Sequence, residues 1–400
     1  MRITITLKRA VVLGAARSGR AAAALLDRHS VEVVLVDRAI GNDGDASVLD
    51  GADLLVKSPG VPRENALVVA AESAGLPIWS EVELGYRLLP NPILGVTGTN
   101  GKTTTTEWLG AMFRAAGRAV AVAGNVGTAL SGVDAPVDAW IVCELSSFQL
   151  EDVHDFRPRV AVLLNLEPDH LDRHGTFEVY RDAKLRIFEN QLAEDAAVVP
   201  RGLDSVPGAA TRIEFSADDD LPAEPGLPGG HNRENAAAAT AAARAAGIPD
   251  DAIAEALRTF PGVPHRLEAV AELGGVRYVN DSKATNAAAA RRALSSYDVP
   301  LHVILGGSRK GESFDELARE VHGRAYLIGE TAGELAEALD RAGVPYVACG
   351  DLPAAVAVAA EAARPGEVVL LSPACASYDQ FRDFEHRGEE FRRLVQNLSG

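Results

Sequence analysis

Lysine is scarce in this 400-residue chain. Six of its 39 basic side chains are lysine: Lys8, Lys57, Lys102, Lys184, Lys283 and Lys310. Arginine is used wherever a generic surface cation suffices. Each remaining lysine therefore raises the question of whether an amine is required, because the two side chains are not interchangeable. Cysteine is scarcer still. Cys143, Cys349 and Cys375 lie far apart with no CxxC pair. That excludes a zinc ribbon, argues against a disulfide framework and points to a reducing compartment. Cations as a class are outnumbered by 56 acidic residues, for a formal net charge of −17. A nucleic-acid surface needs an excess of cations, so no nucleic-acid partner is expected. No apolar run approaches the roughly 20 residues that span a bilayer. The first residues lack a basic-then-apolar pattern with a small-residue cleavage site. The expectation is a cytoplasmic protein with no membrane partner. What is present is 47% hydrophobic and 24% charged residues, enough to bury several cores. The length is too great for one ordinary domain.

Two proline-marked joints divide the chain: Leu88-Leu89-Pro90-Asn91-Pro92 and Phe260-Pro261-Gly262-Val263-Pro264. Residues before proline are pushed out of helix, so both read as linkers. The first stretch runs strand (Ala10 to Leu13), glycine turn (Gly14 to Gly19), alanine-rich helix to about Arg28, strand (Val31 to Val36) and acid (Asp37). That is the layout of a nucleotide-binding half, although Ala16 replaces the middle glycine of GxGxxG. The same turn is also compatible with a plain tight βα connection. A further strand ends in Lys57-Ser58-Pro59-Gly60. In an open parallel sheet the crevice lies outside the carboxyl ends of the strands. Ser18, Asp37, Arg38 and Ser58 to Gly60 would gather there. Lys57 would either reach a nucleotide or face solvent.

The second stretch has strand candidates at Ile93 to Val96, Ala119 to Val122, Ala139 to Cys143 and Val160 to Leu164. Trp108, Leu109, Met112, Phe113 and Ala116 form a helical core stripe. Residues 201–230 are rich in Pro and Gly and read as a surface loop or short strands. The third stretch repeats strand then helix about five times, the pattern of a doubly wound α/β domain. Its strand candidates are Val276 to Asn280, His302 to Leu305, Ala325 to Ile328, Val344 to Ala348 and Glu367 to Leu371.

Gly98-Thr99-Asn100-Gly101-Lys102-Thr103 follows an apolar strand and opens a helix, as a phosphate-binding loop must. Glycines let backbone N–H groups converge on phosphate oxygens, and the helix N-terminus adds partial positive charge. Lys102 would reach the β/γ-phosphates and the Thr103 hydroxyl a Mg²⁺. Val96 stands where the first glycine of GxxxxGKT would be, so a plain βα turn is the alternative. Magnesium takes oxygen ligands. Glu144 ends an apolar run and is a natural second ligand; otherwise its carboxylate caps a helix. His170 also follows a strand on that sheet.

These anchors resemble the Mur ligase family. The likeness extends over Gly95 to Thr103, Glu144 to Leu150, Pro168 to Arg173, His231 to Asn235, Pro264 to Arg266, Asn280 to Asn286 and Leu371 to Phe381. It spans nearly the whole chain. The Ser372-Pro373-Ala374-Cys375-Ala376-Ser377 segment and the small N-terminal domain look like the D-glutamate-adding members. The resemblance implies an α/β fold of three domains. They are a Rossmann-like domain for the UDP-linked substrate (1–90), a central P-loop ATPase-like domain (91–262) and a Rossmann-like domain for the amino acid (263–400). It implies an ATP-dependent ligase that adds D-glutamate to UDP-N-acetylmuramoyl-L-alanine through an acyl phosphate, in peptidoglycan synthesis, as a monomer. Thr103 and Glu144 would hold one Mg²⁺, and His170 and Lys184 a second. Lys184 would be carbamylated by CO₂, unless it is an ordinary exposed helix lysine. ATP contacts carry over to Gly98, Thr99, Asn100, Gly101, Lys102, Thr103, Thr104, Asn232, Asn235, Arg266 and Asp281. D-Glutamate contacts carry over to Lys283, Thr285, Lys310, Ser377 and Phe384, the last through its backbone. The uridine nucleotide would lie on Ser18, Asp37, Arg38 and Ser58, Pro59 and Gly60, with Asn125 and His170 nearer the reacting end. A ligase of the folylpolyglutamate synthase type would carry its P-loop near the N-terminus, whereas about 90 residues precede it here. A P-loop protein without ligase activity would not need the third stretch.

Overall fold

The computed structural model describes residues 7–227, 229–309, 311 and 313–398, Asp172 by its backbone alone. Lys310, an expected D-glutamate contact, lies outside the described residues. The chain forms two compact units, Met1–Phe260 and Pro261–Gly400. No helix among the described residues is long and apolar enough to cross a membrane.

The first unit carries two sheets. One contains β1 (Arg9–Leu13), β2 (Glu32–Val36), β3 (Leu54–Lys57) and β4 (Ile78–Ser80), all parallel in the order β2-β1-β3-β4. Helices α1 (Arg17–Arg28), α2 (Ala66–Ser73) and α3 (Glu81–Leu88) follow its strands. Helix α1 buries Gly19, Ala22, Leu25 and Leu26, one stripe at helical spacing. The other sheet contains β5 (Ile93–Thr97), β6 (Val120–Gly124), β7 (Trp140–Glu144), β8 (Val160–Leu163), β9 (Ala196–Pro200) and β10 (Thr211–Phe215). It is parallel throughout, in the order β10-β9-β8-β5-β7-β6. Its helices are α4 (Lys102–Ala115), α5 (Ser147–Leu150), α6 (Leu171–His174), α7 (Phe177–Leu185), α8 (Gly230–Ala245) and α9 (Asp250–Thr259). The expected stripe of α4 is core: Trp108, Leu109, Met112 and Phe113 are fully buried. The Trp108 indole donates to the Ala256 carbonyl (3.2 Å) and stacks on Phe260.

The joint at 88–92 is not a loose linker. Asn91 is buried and its amide donates to the carbonyls of Pro136 (2.7 Å) and Ala139 (2.9 Å). One apolar core runs from Val12 and Leu26 through Val82 and Leu130 to Ile141 and Leu163, joining both sheets. The second unit carries β11 (Glu268–Leu273), β12 (Val276–Asn280), β13 (Leu301–Gly306), β14 (Gly323–Ile328), β15 (Tyr346–Gly350) and β16 (Val368–Leu371). Their order is β11-β12-β16-β13-β14-β15, with only the edge strand β11 antiparallel. Helices α10 (Ala287–Leu294), α11 (Asp315–Glu320), α12 (Ala332–Ala342), α13 (Leu352–Ala362) and α14 (Phe384–Asn397) complete it. The α/β class expected from the sequence holds. Strands β4, β9 and β11 were not legible in advance. The edge strands β4 and β11 need less apolar surface than central ones, β11 carries Glu268 and Glu272, and the interior strand β9 opens on two alanines.

Candidate active site

The central strand β5 lies between β7 and β8, so three loops leave neighbouring strand ends together. That is the crevice of an open α/β sheet. Gly101 sits at φ 81°, in the left-handed region, and a Cβ there would lie 2.2 Å from Asn235 Oδ1. Only glycine lets the loop pass under α8. The loop is braced from β8, because the Asn100 N–H donates to Asn165 Oδ1 (2.8 Å). Asn100 also donates to Glu167 (2.9 Å), and Thr99 Oγ1 shares a hydrogen bond with the Tyr180 hydroxyl (2.9 Å). Lys102 folds back and donates to the carbonyls of Gly98 (2.9 Å) and Thr99 (2.8 Å). Thr103 and Thr104 are buried in the first turn of α4, whose leading N–H groups have no intrahelical acceptor. Asn232 and Asn235 both lie on α8.

Helix α7 delivers Lys184 to the same loop. Its ammonium donates to the Gly98 carbonyl (2.7 Å) and sits 4.7 Å from the Tyr180 ring centroid. Lys184 is only 2% exposed, so it is not an ordinary surface lysine. Burial, aided by the nearby charge of Lys102, pulls its pKa down to about 7, while Asp169 and Glu144 oppose the shift. Near neutral pH much of this amine is unprotonated, the form that can attack an electrophile.

Glu144 ends β7, is nearly buried and accepts from Asn125 Nδ2 (3.0 Å). It is no helix cap. His170 opens α6 in the left-handed region (φ 51°), and its side chain is 50% exposed. Its ring lies 4.9 Å from Phe148 and 6.5 Å from Tyr180, so His170 and Lys184 both flank the Tyr180 ring. Among the described residues no three His, Cys, Asp or Glu side chains form a metal cage. The Thr103 hydroxyl and Glu144 carboxylate are the hard oxygen donors that Mg²⁺ accepts when phosphate and water supply the rest.

The N-terminal turn explains its own departure from GxGxxG. Ala16 is the exposed N-cap of α1, where a Cβ is tolerated. At Gly19 a Cβ would lie 1.7 Å from the Gly14 carbonyl, so that glycine is required. Asp37 accepts from the N–H groups of Ala15 (2.6 Å) and Ala39 (2.7 Å), which hold its carboxyl below the usual range. Ser58 is buried and donates to the Gly14 carbonyl (3.2 Å); Arg38 is exposed and Ser18 half-buried. Lys57 does neither of the things expected of it. It is 1% exposed and pairs with Asp152 (2.9 Å) and Glu151 (3.5 Å). Arg173 secures the adjoining loop, donating to the carbonyls of Pro59 (3.0 Å) and Val61 (3.1 Å) and to Glu151 (3.0 Å).

In the second unit Asp281 follows β12 and is buried. It accepts from Ser372 Oγ (2.8 Å) and the Leu267 N–H (3.2 Å), and burial raises its pKa to about 6. Lys283, Thr285 and Arg266 are half-buried and Ser377 is buried. Phe384 is the first residue of α14. Its carbonyl accepts from Ser282 Oγ (2.8 Å), and helix geometry leaves its N–H without an intrahelical acceptor. Asn165, Tyr180 and Arg173 were missed in the sequence. Tyr180 precedes Lys184 by four residues on one helix face, a spacing that makes them neighbours but does not by itself announce the Thr99 contact.

A glycine loop entering a helix N-terminus from the central strand of a parallel sheet, with an amine folded onto it, defines a P-loop nucleotide-binding protein. The Mur ligase middle domain matches residues 96–209, and the Mur ligase glutamate ligase domain matches residues 265–375. The chain belongs to the Mur ligase family. It is 42% identical to the UDP-N-acetylmuramoylalanine--D-glutamate ligase of Acidobacterium capsulatum, over 97% of this chain and 96% of that one. It is 43% identical to the same-named protein of Pelotomaculum thermopropionicum, over 98% of each. Among solved structures, UDP-N-acetylmuramate-alanine ligase MurC from Thermotoga maritima shares the fold (TM-score 0.60, 19% identity, 98% of this chain and all of that one). E. coli FolC in complex with ADP does so over 78% of this chain and 92% of its own (TM-score 0.55, 19% identity).

Proposed function

We propose that this ligase joins D-glutamate to UDP-N-acetylmuramoyl-L-alanine, using ATP, as a cytoplasmic step of peptidoglycan synthesis. The observation that carries the chemistry is the pairing of Lys102 and Lys184 on one phosphate-loop carbonyl. The acceptor carboxylate attacks the γ-phosphorus and ADP leaves. The amine of D-glutamate then attacks the acyl carbon, and phosphate departs. Several anions meet in these steps, and fixed cations offset their repulsion. Lys102 leaves the Gly98 and Thr99 carbonyls to hold the β/γ-phosphates, and the N–H groups of α4 bind them from below. Thr103 and Glu144 would hold one Mg²⁺, which supplies charge neutralisation at the transferred phosphoryl group. His170 and Lys184 would hold a second, with Lys184 as its carbamate. A neutral, buried amine is what CO₂ adds to; an N–C bond would form, an N–H proton would pass to solvent, and the carbamate would offer anionic oxygen donors.

Residues 1–90 are assigned to the UDP-linked substrate, 91–262 to ATP and 263–400 to the amino acid, in a protein that acts as a monomer. Ser18, Asp37, Arg38, Ser58, Pro59, Gly60 and Asn125 serve the first. Gly98 to Thr104, Asn232, Asn235, Arg266 and Asp281 serve ATP. Lys283, Thr285, Lys310, Ser377 and the Phe384 backbone serve D-glutamate, whose two carboxylates call for cations and hydroxyl or N–H donors. The test is phosphate release with UDP-N-acetylmuramoyl-L-alanine and D-glutamate, L-glutamate or L-alanine. D-Glutamate is expected to give the fastest release. Equal or faster release with L-alanine sinks the assignment, and equally fast hydrolysis with no amino acid favours a non-ligase nucleotide switch.

A further inference from the structure

Arg387, on α14, is fully buried, and its hydrogen bonds end on neutral groups. Nε donates to Ser282 Oγ (2.9 Å) and Nη2 to the Ser282 carbonyl (2.9 Å). Nη2 also donates to the Cys375 carbonyl (3.0 Å) and Nη1 to the Ala376 carbonyl (3.2 Å). One guanidinium thus ties the loop after β12 to the loop after β16, and does so from a third element. Burying a cation without a paired carboxylate is costly, so a position that keeps one has a compensating reason.

The two loops it joins are those that carry the D-glutamate contacts. Lys283 follows Ser282, Thr285 lies two residues further on, and Ser377 follows Ala376. Ser282 Oγ, which accepts from Arg387, itself donates to the Phe384 carbonyl. The same fork therefore fixes the first turn of its own helix. The β16 loop needs such a hold. Ala374 sits at φ 60°, a left-handed conformation that a residue with a Cβ adopts at a cost. The carbonyls of the next two residues are the ones Arg387 clamps. Gly307 leaves room for the fork, since a Cβ there would lie 3.2 Å from Nη1 and 2.1 Å from the Ala376 carbonyl.

We infer that Arg387 is a positioning residue for D-glutamate, holding the loops of Lys283, Thr285, Ser377 and Phe384 in one register without touching the substrate; this rests on the D-glutamate reading above. A lysine at this position keeps the charge but cannot fork to three carbonyls and a hydroxyl.

The experiment compares the full-length wild type with Arg387→Lys and with Ser282→Ala, titrating D-glutamate, ATP and UDP-N-acetylmuramoyl-L-alanine separately. For R387K, KM for D-glutamate is expected to rise about tenfold or more, with KM for the other two substrates within about twofold. S282A is expected to shift the same constant by about threefold, and it keeps the test alive if R387K does not fold. A D-glutamate KM unchanged in S282A and in any folded R387K overturns the inference. So does a parallel change in all three constants that tracks a lower Tm. A wild type that shows no D-glutamate-dependent turnover overturns instead the reading beneath it.

Discussion

Lys184 carries a charge that its surroundings resist. Its ordinary pKa is 10.5 and burial brings it to about 7. Between those values the unfolded chain binds more protons than the folded one, so stability rises with pH across that window. Below about pH 7 the burial penalty is present in full, several kcal/mol at about 1.4 kcal/mol per unit. Lys184→Met is therefore expected to unfold at higher urea than the wild type at pH 6 to 7, with the advantage shrinking toward pH 10. An equal or lower midpoint at pH 6 to 7 would contradict this. Lys184→Arg keeps the charge and most of the length but cannot form a carbamate. Its rate of phosphate release should fall about a hundredfold or more, as when a catalytic electrostatic group is lost; wild-type rates would remove Lys184 from the mechanism. Lys102, Thr103 and Glu144 were legible as candidates because each sits in a local motif, and Lys184 only through the family resemblance. Tyr180, Asn165 and Arg387 were not. Their roles come from partners 81, 65 and 105 positions away, which only the folded chain supplies.

Among the elements, the junction between β3 and α5 buries a charge that local sequence does not announce. Lys57 looked like a loop-side cation because it ends a strand beside Ser-Pro-Gly. The four residues of β3 are all buried, and the last of them is this lysine. It meets Asp152 and Glu151 under the loop that Arg173 also grips. Removing one member of a buried pair leaves the other uncompensated, at about 3–5 kcal/mol. Lys57→Met should lower the unfolding free energy of the first unit, read from its urea midpoint and slope, by that order. Lys57→Met with Asp152→Leu should recover part of the loss; no recovery would mean that the pair does not act as one. The strands missed at β4, β9 and β11 belong to the same scale. They are short, alanine-rich or alternate with glutamate, so local pattern alone does not announce them.

At the scale of the whole molecule, the chain divides after Phe260, where the Pro261-Gly262-Val263-Pro264 stretch begins. The second unit has its own sheet and apolar cores on both faces of it. Residues 261–400 expressed alone are therefore expected to unfold cooperatively in urea, followed by far-ultraviolet circular dichroism. A broad, featureless melt would show that this unit depends on the rest of the chain. The economy of amines has a practical consequence for the protein in the test tube. Lys8 is exposed, Lys57 and Lys184 are buried, and Lys102 is folded onto its own loop. Acylating reagents that decorate most proteins at random should find few targets here. Of the five lysines described, mild succinimidyl-ester treatment should mark Lys8 first, and that mark should leave turnover intact. Further labelling should then proceed in step with inactivation, turning a generic coupling reaction into a titration of functional enzyme.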